Sequence, residues 1–237
     1  MWLANPDGGE PVAVGATDEY QNFGDVNAAN DTVFFLQGRS AFSRAQDRAE
    51  GKIFRQNLID GSSKEFTDVL LGANHVSFSP NGSAVVYHSD RDEKRQVYWQ
   101  DVVSGTRRVL ASGPEAMGFP RFSRDGAWVS LEISHRAGGD DIGVVPAAGG
   151  PIETILRSNE PTFVAGWMPD NDRMLFAGFR EGAWNIYTVS RSNKKVERLT
   201  DFRLLRTYVR YPDWLAHDRI VYEFNETKGN IFVATLP

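Results

Sequence analysis

Apolar pairs recur along this chain at nearly constant intervals: Ile53-Phe54, Val97-Tyr98, Ile142-Gly143, Ile186-Tyr187 and Ile231-Phe232, spaced 44, 45, 44 and 45 residues apart. A period of this size marks one supersecondary unit repeated along the chain, and such a unit must stack on its neighbours to bury its apolar surface. Eight residues after the first member of three pairs stands a turn glycine, Gly61, Gly105 or Gly150, while the fourth has Ser192, Asn193 and Lys194 instead. A glycine-bearing turn between short β-rich runs signals a hairpin.

A second marker precedes each pair. An aromatic residue leads into a turn in FSPNG (78–82), FSRDG (122–126), WMPDN (167–171) and WLAHD (214–218). Pro80 and Pro169 suit the second turn position because the ring fixes φ, and Gly82 and Gly126 tolerate positive φ. The runs that follow, VVYHS, WVSLEI, MLFAGF and IVYEF, are rich in the β-branched and aromatic residues that favour strands. Each unit therefore predicts four short strands, A to D, in a sheet apolar on both faces. Four-stranded units at this period predict an all-β propeller, in which radial packing protects most strand edges. A β-sandwich would not need markers at fixed intervals.

The units run approximately over 1–19 (partial), 20–70, 71–115, 116–160, 161–205 and 206–237. The one at 20–70 is degenerate: VNAAND (26–31) replaces the aromatic turn, and RSAFSRAQDRAEG (39–51) reads as a projecting polar loop.

The strings FSPNGSAVVYHSDRDEKRQVYWQDVVSG and FSRDGAWVSLEISHRAGGDDIGVVPAAGG resemble the repeats of the TolB-like propeller family, also called WD40-like or PD40 repeats. The family pattern is an aromatic residue, Ser-Pro-Asp-Gly, a strand, a Ser-x-Arg loop, then Ile-Tyr. The resemblance spans nearly the whole chain, is strongest over 76–200 and is weakest over 20–70. It implies a single propeller domain over 1–237, with a periplasmic or extracytoplasmic setting where the chain is TolB-like. Such repeats also occur in propellers attached to serine peptidases, in an oligogalacturonate lyase and in regulators, so the resemblance constrains fold more than function. Met1-Trp2 aligns with the apolar pairs because Gly9 follows eight residues on, which starts the chain inside a C strand. The count is about five blades plus an N-terminal strand pair. Either PVAV (11–14) supplies a missing D strand beside 208–237, or the chain is the C-terminal part of a six-bladed or larger propeller truncated at its N-terminus. The second is preferred, because an open disc exposes two edges.

The 237 residues are 41% hydrophobic, enough for a real core, and the net charge of −5 carries no basic footprint for nucleic acid. Without cysteine there are no disulfides, thiolate metal sites or cysteine nucleophiles. The opening MWLANPDGGE lacks the basic segment and apolar run of a signal peptide, and no stretch approaches the ~20 apolar residues of a membrane helix.

Chemistry-bearing residues are sparse. There is no G-x-S-x-G and no αβ alternation to house a hydrolase sheet, which excludes a complete serine peptidase. His75 opens an A strand, His88 and His135 fall at or beyond the ends of B strands, and His217 lies in a turn. Those positions predict separate radial zones, hence ordinary surface or loop histidines and no metal. Asp90, Asp92 and Glu93, and the Asp140-Asp141 pair, lack the spacing of a calcium loop and read as solvated loops. Trp128, Trp167, Trp184 and Trp214 read as packing residues, with Trp99 less determined.

One recurrence stands out: Arg39, Arg91, Arg136 and Arg180 follow the B strands at nearly equivalent places. A ring of arginines could take an acidic peptide through bidentate hydrogen bonds. Ion pairs to Asp90, Asp92, Asp140 or Glu181 would explain it structurally. The sequence thus points to a non-catalytic scaffold for a protein or peptide, without cofactor or membrane insertion, and monomeric if the propeller closes. An accessory propeller of a serine peptidase is the alternative, and a metal-dependent uronide lyase is a third.

Overall fold

The computed structural model describes residues 2–3, 8–15, 21–27, 31–37, 52–65, 73–90, 94–203, 207–214 and 219–226. All regular structure in them is β. Strands β1 (Trp2–Leu3) and β2 (Val12–Ala13) form an antiparallel pair. Three sheets of consecutive strands follow the expected units. They are β3 (Gln21–Asn27), β4 (Thr32–Gln37), β5 (Lys52–Asn57), β6 (Ser63–Glu65); then β7 (Asn74–Phe78), β8 (Ala84–Ser89), β9 (Gln96–Asp101), β10 (Arg107–Ala111); then β11 (Ala116–Phe122), β12 (Trp128–Ser134), β13 (Asp140–Pro146), β14 (Glu153–Leu156). The fourth is β15 (Thr162–Trp167), β16 (Arg173–Arg180), β17 (Ala183–Ser190), β18 (Val196–Arg198), and β19 (Thr207–Trp214) pairs with β20 (Ile220–Glu226) in the fifth. The N-terminal pair and the four-stranded antiparallel units are those the repeat predicts. The 39–51 loop lies outside the described residues.

The turn motifs explain why the chain reverses where it does. In FSPNG the Ser79 hydroxyl donates to Asn81 Oδ1 (2.8 Å) and accepts from the Ala84 N–H (2.9 Å), while Gly82 N–H closes on the Ser79 carbonyl (2.8 Å). FSRDG repeats the arrangement: Ser123 Oγ donates to Asp125 Oδ1 (2.5 Å) and accepts from Trp128 N–H (3.0 Å). The φ of Gly82 and Gly126, 69° and 74°, lies in the left-handed region, and Asn171 (φ 56°) takes that place in WMPDN. Asn is among the few non-glycine residues that accept this conformation readily. In the C-to-D turns Gly61 and Gly105 are left-handed in the same way, and Lys194 (φ 60°) stands at the matching site.

Alternation along each strand sends apolar side chains to both faces. On β8, Val85 and Tyr87 pack with Phe34 and Ile53 of the first sheet, whereas Ala84 and Val86 pack with Met117, Val129 and Leu131 of the third. Ile142 and Val144 meet Met174 and Phe176 across the next junction, and Leu175 and Ile186 meet Val209 across the one after. Val14, beside β2, joins Val33 and Phe35 on the first sheet's other face. The core is thus a series of slabs between successive sheets.

Ser123→Ala should lower stability by about 1 kcal/mol, the net worth of a hydrogen bond whose loss leaves the Trp128 N–H without its side-chain acceptor. A denaturant midpoint equal to that of the wild type would contradict the role given to the turn serine.

Candidate functional site at the convergence of the inner strands

The first strand of every sheet carries a break in register, between Asn22 and Asp25, Asn74 and Ser77, Gly118 and Arg121, Val164 and Trp167, and Arg210 and Asp213. A bulge re-aims the side chains beside it. In three sheets its residue is a left-handed ring-bearing one: His75 (φ 50°), Phe119 (φ 52°) and Tyr211 (φ 48°). This backbone costs about 1–3 kcal/mol per residue and marks sites whose geometry is held by their surroundings. The three rings gather, His75 lying 4.1 Å from Phe119 and 6.4 Å from Tyr211 between centroids. With Arg121, Gly166 and Asp213 they line a recess of about 100 Å3.

At or beside these breaks stand Asp25, Ser77, Arg121, Gly166 and Asp213, which join Arg124 around a second recess of about 240 Å3 at the end of the inner strands where the A-to-B turns lie. Arg121 Nη1 is 3.8 Å from Asp25 Oδ2, and Arg124 Nη2 is 3.2 Å from Asp213 Oδ1. The first, third and fifth sheets therefore meet here, as inner strands in a radial array must. Adjacent sheets are tied at the same level: Asp25 Oδ2 accepts the Phe78 N–H (3.0 Å), Ser77 Oγ accepts the Phe122 N–H (3.3 Å), and Trp167 Nε1 donates to the Arg121 carbonyl (3.1 Å). At Gly166 any Cβ would overlap the Asp213 carboxylate, so glycine is what admits that charge. Burial pushes the Asp25 carboxyl above its ordinary value, Arg121 and the Phe78 N–H pull it back, and Asp213 pushes it further up.

Behind the rings sit His88 and Glu132, each ten residues after the aromatic that opens its turn motif and each almost fully buried, at 4% and 3% exposure. His88 Nδ1 accepts the Phe119 N–H (3.1 Å), so the neutral ring carries its proton on Nε2. Burial, with Arg95 adding, holds His88 down at about 3, and burial, with His88 and two arginines adding, holds His75 well below its usual value. Glu132 is pushed up to about 8 by burial and by the Asp140 charge, against a hydrogen bond from Ser134 Oγ to Oε1 (2.9 Å).

This corrects the reading of the histidines. His75 and His88 are not surface residues in separate zones: their rings stack at 4.9 Å between centroids in one buried cluster. The inner-strand bulge brings His75 onto its own sheet's second strand. His135 is a half-exposed loop residue, its Nε2 3.0 Å from Asp141 Oδ2 and its Nδ1 3.9 Å from Glu115 Oε1. His217 lies outside the described residues.

Arg39 and Arg91, with Asp92 and Glu93, also lie outside them. Arg136 is exposed. Arg180 lays its guanidinium over Phe176 (5.3 Å) and Tyr187 (5.1 Å), while Glu181 faces Arg198 (3.8 Å) and Asp90 faces Arg95 (3.3 Å). Asp140 and Asp141 accept backbone N–H groups of Thr162 (3.2 Å) and Ser158 (2.9 Å), tying the third sheet to the chain leading into the fourth. No set of three His, Asp or Glu side chains suited to a metal occurs among the described residues. Trp167 is fully buried, Trp184 stacks on Phe163 (5.4 Å), and Trp128 and Trp99 lie under Arg191 (3.8 Å) and Arg108 (4.8 Å).

A Glu132 carboxyl that keeps its proton in the fold but loses it in the unfolded chain makes stability fall as pH rises from about 4.5 to about 8. Glu132→Gln should remove that decline from denaturant midpoints measured across this range. Parallel profiles for the two proteins would contradict the assignment.

The TolB beta propeller domain family matches residues 69–236. An uncharacterised protein of Agrobacterium fabrum is 28% identical over 102 residues, which cover 43% of this chain and 34% of that protein, so the match spans about a third of its relative. Among solved structures, a TolB-type protein from Agrobacterium tumefaciens superposes with a TM-score of 0.63 at 21% identity, over 80% of this chain and 68% of that one. The acylaminoacyl peptidase of Pyrococcus horikoshii superposes with a TM-score of 0.55 at 15% identity, over 89% of this chain and 39% of that one. At these identities the structural likeness speaks for the fold alone. The family match and the run of four-stranded antiparallel sheets agree, and the chain belongs to the TolB beta propeller domain family.

Proposed function

We propose that the chain is a non-catalytic scaffold whose recess at the ends of the inner strands receives a protein segment or peptide. The observation that carries this reading is the meeting of Asp25, Arg121, Arg124 and Asp213 from three sheets around an open recess. Rigid strands hold these groups, so a ligand finds them already oriented. The two guanidinium forks suit a carboxylate and the two aspartates suit an ammonium or a backbone N–H, which together fit a polypeptide better than a ligand of one charge. The loop-face arginines Arg39, Arg91, Arg136 and Arg180 are a second surface for a partner, weakened by the commitment of Arg180 to two ring faces. The accessory-propeller reading rests on likeness of fold to peptidase propellers.

Peptides selected from a random library on the full chain should bind the Arg121→Gln/Arg124→Gln double variant at least about tenfold more weakly, a difference of about 1.4 kcal/mol. Arg136→Ala should leave their affinity unchanged. Equal affinity for the double variant, or a loss confined to Arg136→Ala, would move the partner to the other face.

A further inference from the structure

The junctions between successive sheets are not equivalent. On each sheet one C-strand residue lies directly opposite one D-strand residue at matching positions of the repeat: Arg55 with Lys64, Trp99 with Arg108, Val144 with Glu153, and Thr188 with Glu197. At the second junction Arg108 lies over Trp99 and reaches the next sheet, donating from Nη2 to the Ala147 carbonyl (2.6 Å). At the third, Glu153 bridges to Lys194 and lies 3.8 Å from Arg191 of the following sheet. At these two junctions the D-strand residue thus staples its sheet to the next, whereas Glu197 pairs within its own unit with Lys195 (2.6 Å).

Among the described residues the first junction has no such D-strand staple. At the position of Ala147 and Arg191 stands Val102, and among the described residues neither Arg55 nor Lys64 forms an ion pair or reaches the Val102 carbonyl. An open groove of about 410 Å3 lies between the sheets, with Thr32, Asn57 and Ser63 beside the two cations. Like charges directly opposite across a ladder are destabilising, and here they stand on one face of the sheet. Two carboxylates of the adjoining turns are engaged locally: Asp60 accepts the Ser62 N–H (2.8 Å), and Asp101 accepts the Ser104 N–H (2.7 Å) and hydroxyl (2.9 Å). Asn57 Oδ1 accepts the Ile59 and Asp60 N–H groups, which leaves its Nδ2 as a donor.

We infer that the groove between the first and second sheets binds a phosphate group, free or as the end of a phosphomonoester, held by Arg55 and Lys64. A guanidinium, an ammonium, an amide and the hydroxyl-bearing residues Thr32, Ser62 and Ser63 line the groove, and a tetrahedral oxyanion has acceptors enough to use donors from several directions. The bound anion also cancels the repulsion between the two cations. This site is separate from the recess at the inner-strand ends.

The test is calorimetric titration of the full chain with inorganic phosphate and with phenyl phosphate, at ionic strength held constant with sodium chloride, alongside thermal melting. Saturable binding and a rising melting temperature are expected, with affinity reduced at least about fivefold in Arg55→Gln and in Lys64→Gln. Without phosphate both variants should melt no lower than the wild type, because each removes a like-charge contact. Tighter binding of phenyl phosphate would assign the site to an ester whose organic part rests on the apolar side of the groove, and binding no tighter than inorganic phosphate would assign it to the free ion. Non-saturable binding, equal affinity in the variants, or an equal response to acetate would overturn the inference.

Discussion

A four-stranded sheet with apolar side chains on both faces has to be covered twice, and that constraint organises the molecule. Val85 and Tyr87 on one face of β8 and Ala84 and Val86 on the other all need partners, so the second sheet must lie between two others. Repeating the requirement at every period brings the inner strands together. The polar ties that follow, such as Asp25 to the Phe78 N–H and Ser77 to the Phe122 N–H, depend on this stacking and set its register.

The proposed binding recess lies where the stacking brings unlike repeats to one place. At or beside the register breaks of their inner strands, the sheets present Asp25, Ser77, Arg121, Gly166 and Asp213, so a structural repeat delivers a non-repeating set of side chains. Gly166 leaves room for Asp213, and Trp167 holds the Arg121 backbone by hydrogen bonding to its carbonyl. Just behind, His75, His88 and Glu132 are buried in neutral form, so the charge of the recess resides in the two aspartates and two arginines at its mouth. The same logic distinguishes the first junction: the repeat supplies Lys64 at the bridging position, opposite Arg55, and among the described residues neither pairs with the next sheet.

The periodic part of this structure was legible in the sequence because it is local. Ser79, Pro80 and Gly82 specify a turn by their own chemistry, and Lys194 falls where Gly61 and Gly105 fall because the backbone there is left-handed. The site was not legible in that way. His75 and His88 read as surface residues because a bulge is a property of the ladder between two strands. A signal existed: the left-handed residues His75, Phe119 and Tyr211 each precede the strand-end aromatic by three positions, and Arg121 and Asp213 precede theirs by one, as Asp25 precedes Val26. The arginines chosen from the B-to-C loops were a true recurrence, but recurrence of one residue type marks what the repeats share, whereas the recess is built from what they do not.

The first, third and fifth sheets meet at their inner strands, with Arg121 beside Asp25 and Asp213 close enough to act on it. Carboxyl-carbon NMR titration of Asp25 tests this most directly. The account predicts that Asp25 titrates above an ordinary aspartate, rises further in Arg121→Gln and falls in Asp213→Asn. A titration unmoved by either substitution would mean that the three sheets do not converge and that the recess is not built as described.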